Sequence, residues 1–420
     1  MVELLSPAGD FTSLTAVLKN GADAVYIGLE GVNMRINAAN FGLQDVKKAS
    51  DITHDYGSKL YLCTNTIMKD KDILRLNEQL PKLADADVDG LILSDIGLIE
   101  TVDSYGIEPH ISVQENISNS YVLKTLKKLG ATRAILSREL SIPEIKKISK
   151  KSPIETEIFI HGAMCMAISG RCFLSYGLYG RSANCGDCLQ PCRKNWKFTF
   201  DYESDDKVIN NSDLKTDEES FIISEAYDNS YRTTFFSPKD MAMIEHIPEL
   251  MDTGVNAFKI EGRARSADYC ATATSVYREA IDLYEENSKE YVYNPQWMEK
   301  LKEVFNRGFD TGFYFNTPYE LSENNKSKYI KKDIGKVVNY YNKPKVAEFK
   351  IWDDLSIGDE IMIQGPTTGS VRYTVDSMEI DNNKINHAPK GVNVGVAIPY
   401  KLRENDFVYK LLKREDDGLD

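Results

Sequence analysis

Five of the seven cysteines, Cys165, Cys172, Cys185, Cys188 and Cys192, are crowded into one short stretch. In a cytoplasmic chain such a thiol cluster points to metal, redox or nucleophilic chemistry before disulfides. Cys165 and Cys172, with six residues between them, followed by Cys188, supply soft thiolate donors of the kind iron–sulfur clusters and zinc take. His161, four residues before Cys165, could share a helical face with it as base and thiol. It could equally complete a tetrahedral zinc with the cysteines, across a homodimer interface if need be. Five neighbouring thiols would serve a single nucleophile poorly. Neither Gly-x-Ser-x-Gly nor His-Glu-x-x-His occurs in the chain, so the leading reading is a thiolate-ligated centre. Cys270 shares a helical stripe with Ala273, Val276, Tyr277, Ile281 and Tyr284 and reads as core.

The elements that must position these groups form a regular series. Short β-rich runs recur at Glu3–Leu5, Ala24–Gly28, Lys59–Cys63, Gly90–Leu93, His110–Val113, Arg133–Ser137, Glu155–Ile160 and Ala257–Ile260. Between them fall helical patterns, among them Phe11–Asn20, Leu43–Tyr56, Asp72–Leu83, Ser120–Leu129 and Ile142–Lys150. Strands alternating with helices imply parallel pairing, and eight such units predict an α/β fold of the (βα)8, TIM-like barrel type. The spacing breaks once, between the seventh and eighth strands, where a long insertion over 162–256 carries the clustered cysteines. In such barrels chemistry sits at the C-terminal strand ends. Polar residues there include Ser6, Asn65, Asp95, Gln114, Arg138, Glu139, His161, Glu261 and Arg263. Glu261 and Arg263 could bind a polar or anionic substrate, or pair with each other. Arg35 and Asn40, after the second strand, could contact a carboxylate or amide, or only hold their turn.

Three units follow: a barrel over 1–287, a polar helical connector over 288–332, and a small antiparallel β-barrel over 333–420 with strands at Gly335–Tyr341, Val346–Ile351, Glu360–Gln364, Tyr373–Ile380 and Val392–Ile398. The acidic, aperiodic stretch Tyr202–Thr234 reads as a solvated loop. Of 420 residues, 42% are hydrophobic and 27% charged, ordinary values that exclude a disordered or fibrous chain. The net charge of −13 argues against non-specific coating of nucleic acid but leaves room for a local basic face. No basic-then-apolar leader and no apolar run of about 18 residues occurs, so the expectation is a soluble cytoplasmic protein without membrane contact.

The central string reads Glu157-Ile-Phe-Ile-His161-Gly162-Ala163-Met164-Cys165, four residues, then Gly170-Arg171-Cys172-Phe173-Leu174-Ser175. It resembles the signature of the collagenase-like U-thirty-two peptidase family: Glu-x-Phe-x-x-Gly-Ala-x-Cys, four residues, Gly-x-Cys-x-Leu-Ser. Every position is met. Further family-like strings are Leu4–Gly9, Ala22–Gly28, Asn37–Phe41, Ser237–Met241 and Lys259–Arg263. The resemblance implies an enzyme of one of two kinds, since some members are labelled peptidases and others act in tRNA, ribosomal-RNA or ubiquinone hydroxylation. The hydroxylating members imply a 4Fe-4S iron–sulfur cluster and a prephenate-derived hydroxyl donor. Cys165, Cys172 and Cys188 carry over as ligands. The family's fourth cysteine follows a Lys-Asp-hydrophobic step, where this chain has Ala242, so Cys192 or Cys185 must substitute, or zinc with His161 must replace the cluster.

The leading expectation is hydroxylation of a pyrimidine in tRNA or another structured RNA. A small carboxylate ligand would sit in the barrel mouth against Arg35, Asn40, Gln114, Glu261 and Arg263, beside a metal centre on Cys165, Cys172, Cys188, Cys192 or His161. A collagenase-like peptidase and a non-catalytic RNA- or peptide-binding module with structural zinc are the alternatives.

Overall fold

The computed structural model describes residues 1–194, 196–199, 230–233, 236–315, 322 and 325–414. Strands rich in β-branched, aromatic and leucine side chains follow one another around a ring: β1 (Glu3–Pro7), β2 (Ala24–Gly28), β3 (Lys59–Thr64), β4 (Gly90–Leu93), β5 (Glu108–Ile111), β6 (Arg133–Ile135) and β7 (Glu155–Ala163). After an excursion that includes β8 (Asp240–Ala242) comes β9 (Ala257–Ile260). Strands β1 to β7 pair with their chain neighbours in parallel, and β9 closes the ring against both β1 and β7. Helices α1 (Phe11–Lys19), α2 (Leu43–Asp55), α3 (Asp70–Asp85), α4 (Ile99–Ser104), α5 (Ser120–Lys128) and α6 (Ile142–Ser149) alternate with the strands. Their starts are written in capping residues: Asp10 Oδ1 accepts from the Ser13 N–H at 2.7 Å, and Ser141 with Glu144 forms a capping box. The closed eight-stranded barrel is therefore as expected.

Strand β7 departs from regularity, and the departure matters. Opposite Lys259 and Ile260 it spends one extra residue, so that Lys259 faces Phe159 while Ile260 faces His161. Such a bulge re-aims the side chains beyond it. The end of β7 then pairs antiparallel with β8, Ala242 opposite His161, and Phe309–Asp310 adds a further parallel strand. The insertion also holds α7 (Leu174–Tyr179), α8 (Ile247–Asp252) and an antiparallel pair, Trp196–Thr199 with Ser230–Thr233. Most of the expected loop over 202–234 lies outside the described residues, and 230–233 is strand. No helix among the described residues is long and apolar enough to cross a membrane.

Beyond α9 (Ala267–Glu286), the described residues of the stretch read as a helical connector are helical only in α10 (Pro295–Glu303). The first strand of the C-terminal module starts earlier than expected, at Tyr329, and runs to Tyr341. That module is antiparallel, its eight-stranded sheet running Gly369–Thr374, Glu360–Gly365, Phe407–Lys413, Tyr329–Tyr341, Val346–Ile351, Asn393–Ala397, Met378–Ile380, Asn383–Ile385. Phe407–Lys413 was not anticipated, and the expected single strand over 373–380 is two, parted at Val375–Ser377. A separate core, built on residues such as Phe349, Ile361 and Val408, fills it. It docks on the barrel through α1, where Thr15 Oγ1 donates to Pro366 O at 2.6 Å and Lys19 Nζ donates to the Thr367 and Thr368 carbonyls.

Inside the barrel an ionic cluster replaces part of the usual aliphatic filling. Glu157 accepts from Lys259 Nζ at 2.8 Å and from Arg133 Nη1 at 3.3 Å, with all three side chains buried. Arg133 also binds Glu155 at 2.6 Å and Glu3, which accepts from the Tyr61 hydroxyl at 2.9 Å. Burial alone would raise the Glu157 carboxyl, but Lys259 and Arg133 outweigh it and hold it below its ordinary value. Removing one partner of such a cluster strands the other charges in a dry interior. Glu157→Ala should therefore lower stability by about 3–5 kcal/mol in urea denaturation, while Lys47→Ala, which breaks only an exposed pair with Asp51, should leave the midpoint unmoved.

Candidate active site

The loops after β2, β3, β5, β6, β7 and β9 surround a cavity of about 330 Å³ at the C-terminal mouth of the barrel. Its floor is Tyr26, Ile92, Ile135 and Phe159, directly above the ionic cluster. Cys165, Cys172, Cys188 and Cys192 all line it. So do Arg35, Gln114, Glu261 and Arg263, so the mouth residues and the thiols expected from the insertion share one space. A larger cleft, about 560 Å³, lies between α9, α10 and the C-terminal sheet, and none of the expected site residues lines it.

The thiols are held by their backbone surroundings. The Cys172 N–H donates to Asn184 Oδ1 at 2.8 Å, and the Gln190 N–H donates to Cys188 Sγ at 3.3 Å. Arg193 ties the segment down, donating to Ser237 Oγ at 3.0 Å and to the carbonyls of Pro238 and Met164. Burial pushes the Cys188 and Cys192 thiols up, against Arg35 at the first and Arg193 at the second. Cys165, Cys188 and Cys172 all bear electrostatically on Cys192. Four sulfurs on one wall are a donor set that suits a soft metal centre. Among the described residues, however, no three cysteine, histidine or carboxylate side chains stand close enough together to hold a metal ion as they are. Of the two substitutes for the missing fourth cysteine, Cys192 lines the cavity and Cys185 does not. Ala242 is buried in β8, away from the lining. Cys270 is buried in α9, its thiol pushed up by burial.

Glu261 and Arg263 do not pair with each other. Arg35 Nη2 donates to Glu261 Oε1 at 3.0 Å, while Arg263 Nη1 donates to Asn33 Oδ1 at 3.0 Å. Burial alone would raise the Glu261 carboxyl, but Arg35, then Arg138 and Arg263, outweigh it and hold it at about 2. The cavity wall thus presents Arg35, Arg138, Lys259 and Arg263 against Glu261, with Glu157 beneath. Among the described residues the buried Arg138 Nε and Gln114 Oε1 have no hydrogen-bond partner, and the Arg138 guanidinium lies 3.8 Å over the Phe159 ring. Asn40, expected in the lining, lies outside it: its amide donates to the carbonyls of Arg35, Ile36 and Ala38, holding the turn that presents Arg35, and its buried Oδ1 has no hydrogen-bond partner among the described residues. Lys259 and Arg138 are the contributors that residue spacing underplayed; a lysine in an apolar run, two residues from Glu261 on alternating strand geometry, was the available signal for the first.

His161 is not with the thiols. The β7 bulge turns it onto α9, where its ring lies 5.7 Å from Tyr269, 5.5 Å from Tyr277 and 5.6 Å from Phe309. Neither ring nitrogen has a hydrogen-bond partner among the described residues. It is absent from the cavity lining, which corrects its expected part as a metal ligand or as a base for Cys165.

The family model described as peptidase family U32 matches residues 9–324. Three relatives align over nearly the full length. An uncharacterized protease, MJ0090, from Methanocaldococcus jannaschii is 45% identical over 98% of this chain and 98% of its own. A protein named collagenase from Porphyromonas gingivalis is 36% identical over 99% of each. The tRNA hydroxylation protein P1 of Bacillus subtilis is 33% identical over 98% of this chain and 94% of its own.

The buried imidazole sets a pH signature. Burial, and then the nearby Arg265 charge, hold His161 down at about 3, so the unfolded chain takes up its proton first. Stability from this site is whole above the ordinary histidine value of about 6.5 and is lost as pH falls from there toward 3. Thermal midpoints across that window should fall less steeply in His161→Phe than in the parent; equal slopes would place the charge elsewhere.

Proposed function

This chain belongs to peptidase family U32, and from that premise we propose that it hydroxylates a pyrimidine of structured RNA, tRNA above all. The observation that carries the reading is the union, in one cavity, of four thiols and a cation-rich ligand wall, with the histidine nearest Cys165 in sequence turned out of it. Relatives named for tRNA hydroxylation and for collagenase both align end to end, so the names alone do not choose. A thiol peptidase needs a base within reach of its nucleophile. Among the described residues the lining offers Cys165 no imidazole, and its one carboxylate, Glu261, is held at about 2 and is a poor base for a thiol; the other titratable groups there besides the cysteines are Tyr26, Arg35, Arg138, Lys259 and Arg263.

In this reading Cys165, Cys172, Cys188 and Cys192 would hold a 4Fe-4S cluster, which when bound supplies one-electron redox chemistry. Zinc on the same thiolates would supply none, and replacing C–H by C–OH is a two-electron oxidation, which would balance if the hydroxyl donor's own C–OH were reduced to C–H. The remaining work belongs to the chain's own side chains. Arg138 and Arg263, above Lys259, would anchor the carboxylate of a small hydroxyl donor, Arg138 through its unpartnered Nε. Glu261, kept ionised by Arg35, is an acceptor only and would take a hydrogen bond from a ring N–H or exocyclic N–H of the pyrimidine. Tyr26 and Phe159 give the base an apolar floor that excludes water. The pyrimidine must leave its stack to reach that depth.

Deletion of the gene should remove a pyrimidine nucleoside one oxygen heavier from tRNA, read by nucleoside mass spectrometry. The parent chain should restore it, and Cys172→Ser should not. Arg138→Met should also fail while retaining the metal content of the parent. Unchanged nucleoside profiles in both tRNA and ribosomal RNA would contradict the proposal.

A further inference from the structure

The insertion that carries the cysteines also carries the most open aromatic face near the mouth. Phe173, Tyr176 and Tyr179 recur at every third residue across α7 and its N-cap, so their rings fall on one side of the helix. They are 72%, 57% and 50% exposed. Apolar surface left open in this way marks a contact site. The face adjoins the cavity: a groove lined by Arg171 and Phe173 shares Gln114 and Gly170 with the cavity wall.

Charge chooses among occupants. Between Met164 and Lys194 the chain carries Arg171, Arg181, Arg193 and Lys194 against Asp187 alone, in a protein of net charge −13. Arg193 is taken up by internal carbonyls and Arg181 pairs with Asp187, while Arg171 and Lys194 are exposed, Arg171 sharing its groove with Asp95 and Glu115. Aliphatic side chains are open in the same insertion, Met166, Ile168, Leu178 and Leu189 among them, so the choice rests on the rings and the excess of cations taken together. Single-stranded nucleic acid asks for both features at once, because bases stack on ring faces while phosphates seek cations. Resting on the RNA reading above, we infer that Phe173, Tyr176 and Tyr179 are a stacking platform for unpaired nucleotides flanking the target base. The platform selects a loop over a paired stem, since only splayed bases offer free faces. It binds the substrate and takes no part in the oxidation.

The test uses the full chain and two fluorescently labelled RNAs, a hairpin with an unpaired pyrimidine-rich loop and a blunt duplex of the same stem. The parent should prefer the hairpin. Phe173→Ala/Tyr176→Ala/Tyr179→Ala should weaken hairpin binding about tenfold or more and leave duplex binding and metal content unchanged. The dependence of hairpin affinity on salt should keep its slope, because the neutralised phosphates are the same. Phe173→Trp should retain hairpin binding, which separates stacking from any local unfolding. A triple variant with parental hairpin affinity would overturn the platform and leave the RNA reading standing. A triple variant that loses self-association instead of RNA binding would make the face an interface between copies, and also overturn it. A parent chain that binds neither RNA would overturn both.

Discussion

The carboxylate of Glu157, held between Lys259 and Arg133 in the barrel interior, is the constraint on which the mouth depends. A ring of eight short parallel strands must fill its centre, and here it does so with opposite charges from β6, β7 and β9. Such clusters add little net stability over an aliphatic core, because desolvation consumes the Coulombic gain. In the register in which β7 and β9 close the barrel, Lys259 reaches Glu157. That alignment sets the Lys259 head 4.4 Å from the Tyr26 ring centre and so builds the cavity floor. It also fixes where the β7 bulge falls, which separates Phe159, in the cavity, from His161, outside it.

The thiols and the ligand wall are coupled through one residue. Arg35 is raised in basicity by Glu261 first and also by Cys165, and it in turn lowers the Cys188 thiol. A change of charge on the sulfurs is thus felt by the group that keeps Glu261 ionised. The chain reaches this arrangement by a close approach at Gly162, where φ is +109° and an added Cβ would stand 2.4 Å from the Glu261 carbonyl oxygen. Only glycine allows β7 to pass β9 there and release the cysteine segment over the mouth. The rigid barrel thereby positions what the insertion supplies, the division of labour usual where loops carry function on a fixed scaffold.

Much of this was legible in the chain and some was not, for physical reasons. Ala24–Gly28, Gly90–Leu93 and Ala257–Ile260 match the observed strands residue for residue, because buried parallel strands are continuous apolar runs bounded by breakers. The cysteines announced themselves by density alone. His161 was misplaced because alternation along β7 carries it to the cavity side, and a bulge leaves no mark in an unaligned string. Asn40 had the right type for a ligand contact but the equally ordinary task of holding a turn. Phe407–Lys413 escaped because Lys410 and Lys413 interrupt its apolar pattern, although Val408 is buried and pairs with Ile363 of the neighbouring strand. The helical connector failed for a converse reason: its polar residues suit helix and coil alike, and only Trp297 and Leu301 give α10 a face to bury.

On the proposed reading the cavity cysteines would act together as one thiolate set for an iron–sulfur cluster. Iron and acid-labile sulfide analysis of the anaerobically isolated chain tests it most directly, set beside Cys192→Ser and Cys185→Ser. Stoichiometric iron and sulfide are expected in the parent, with loss of both in Cys192→Ser and retention in Cys185→Ser, whose position lies off the cavity wall. Colourless parent protein with stoichiometric zinc and no sulfide, or a parent unaffected by Cys192→Ser, would contradict it.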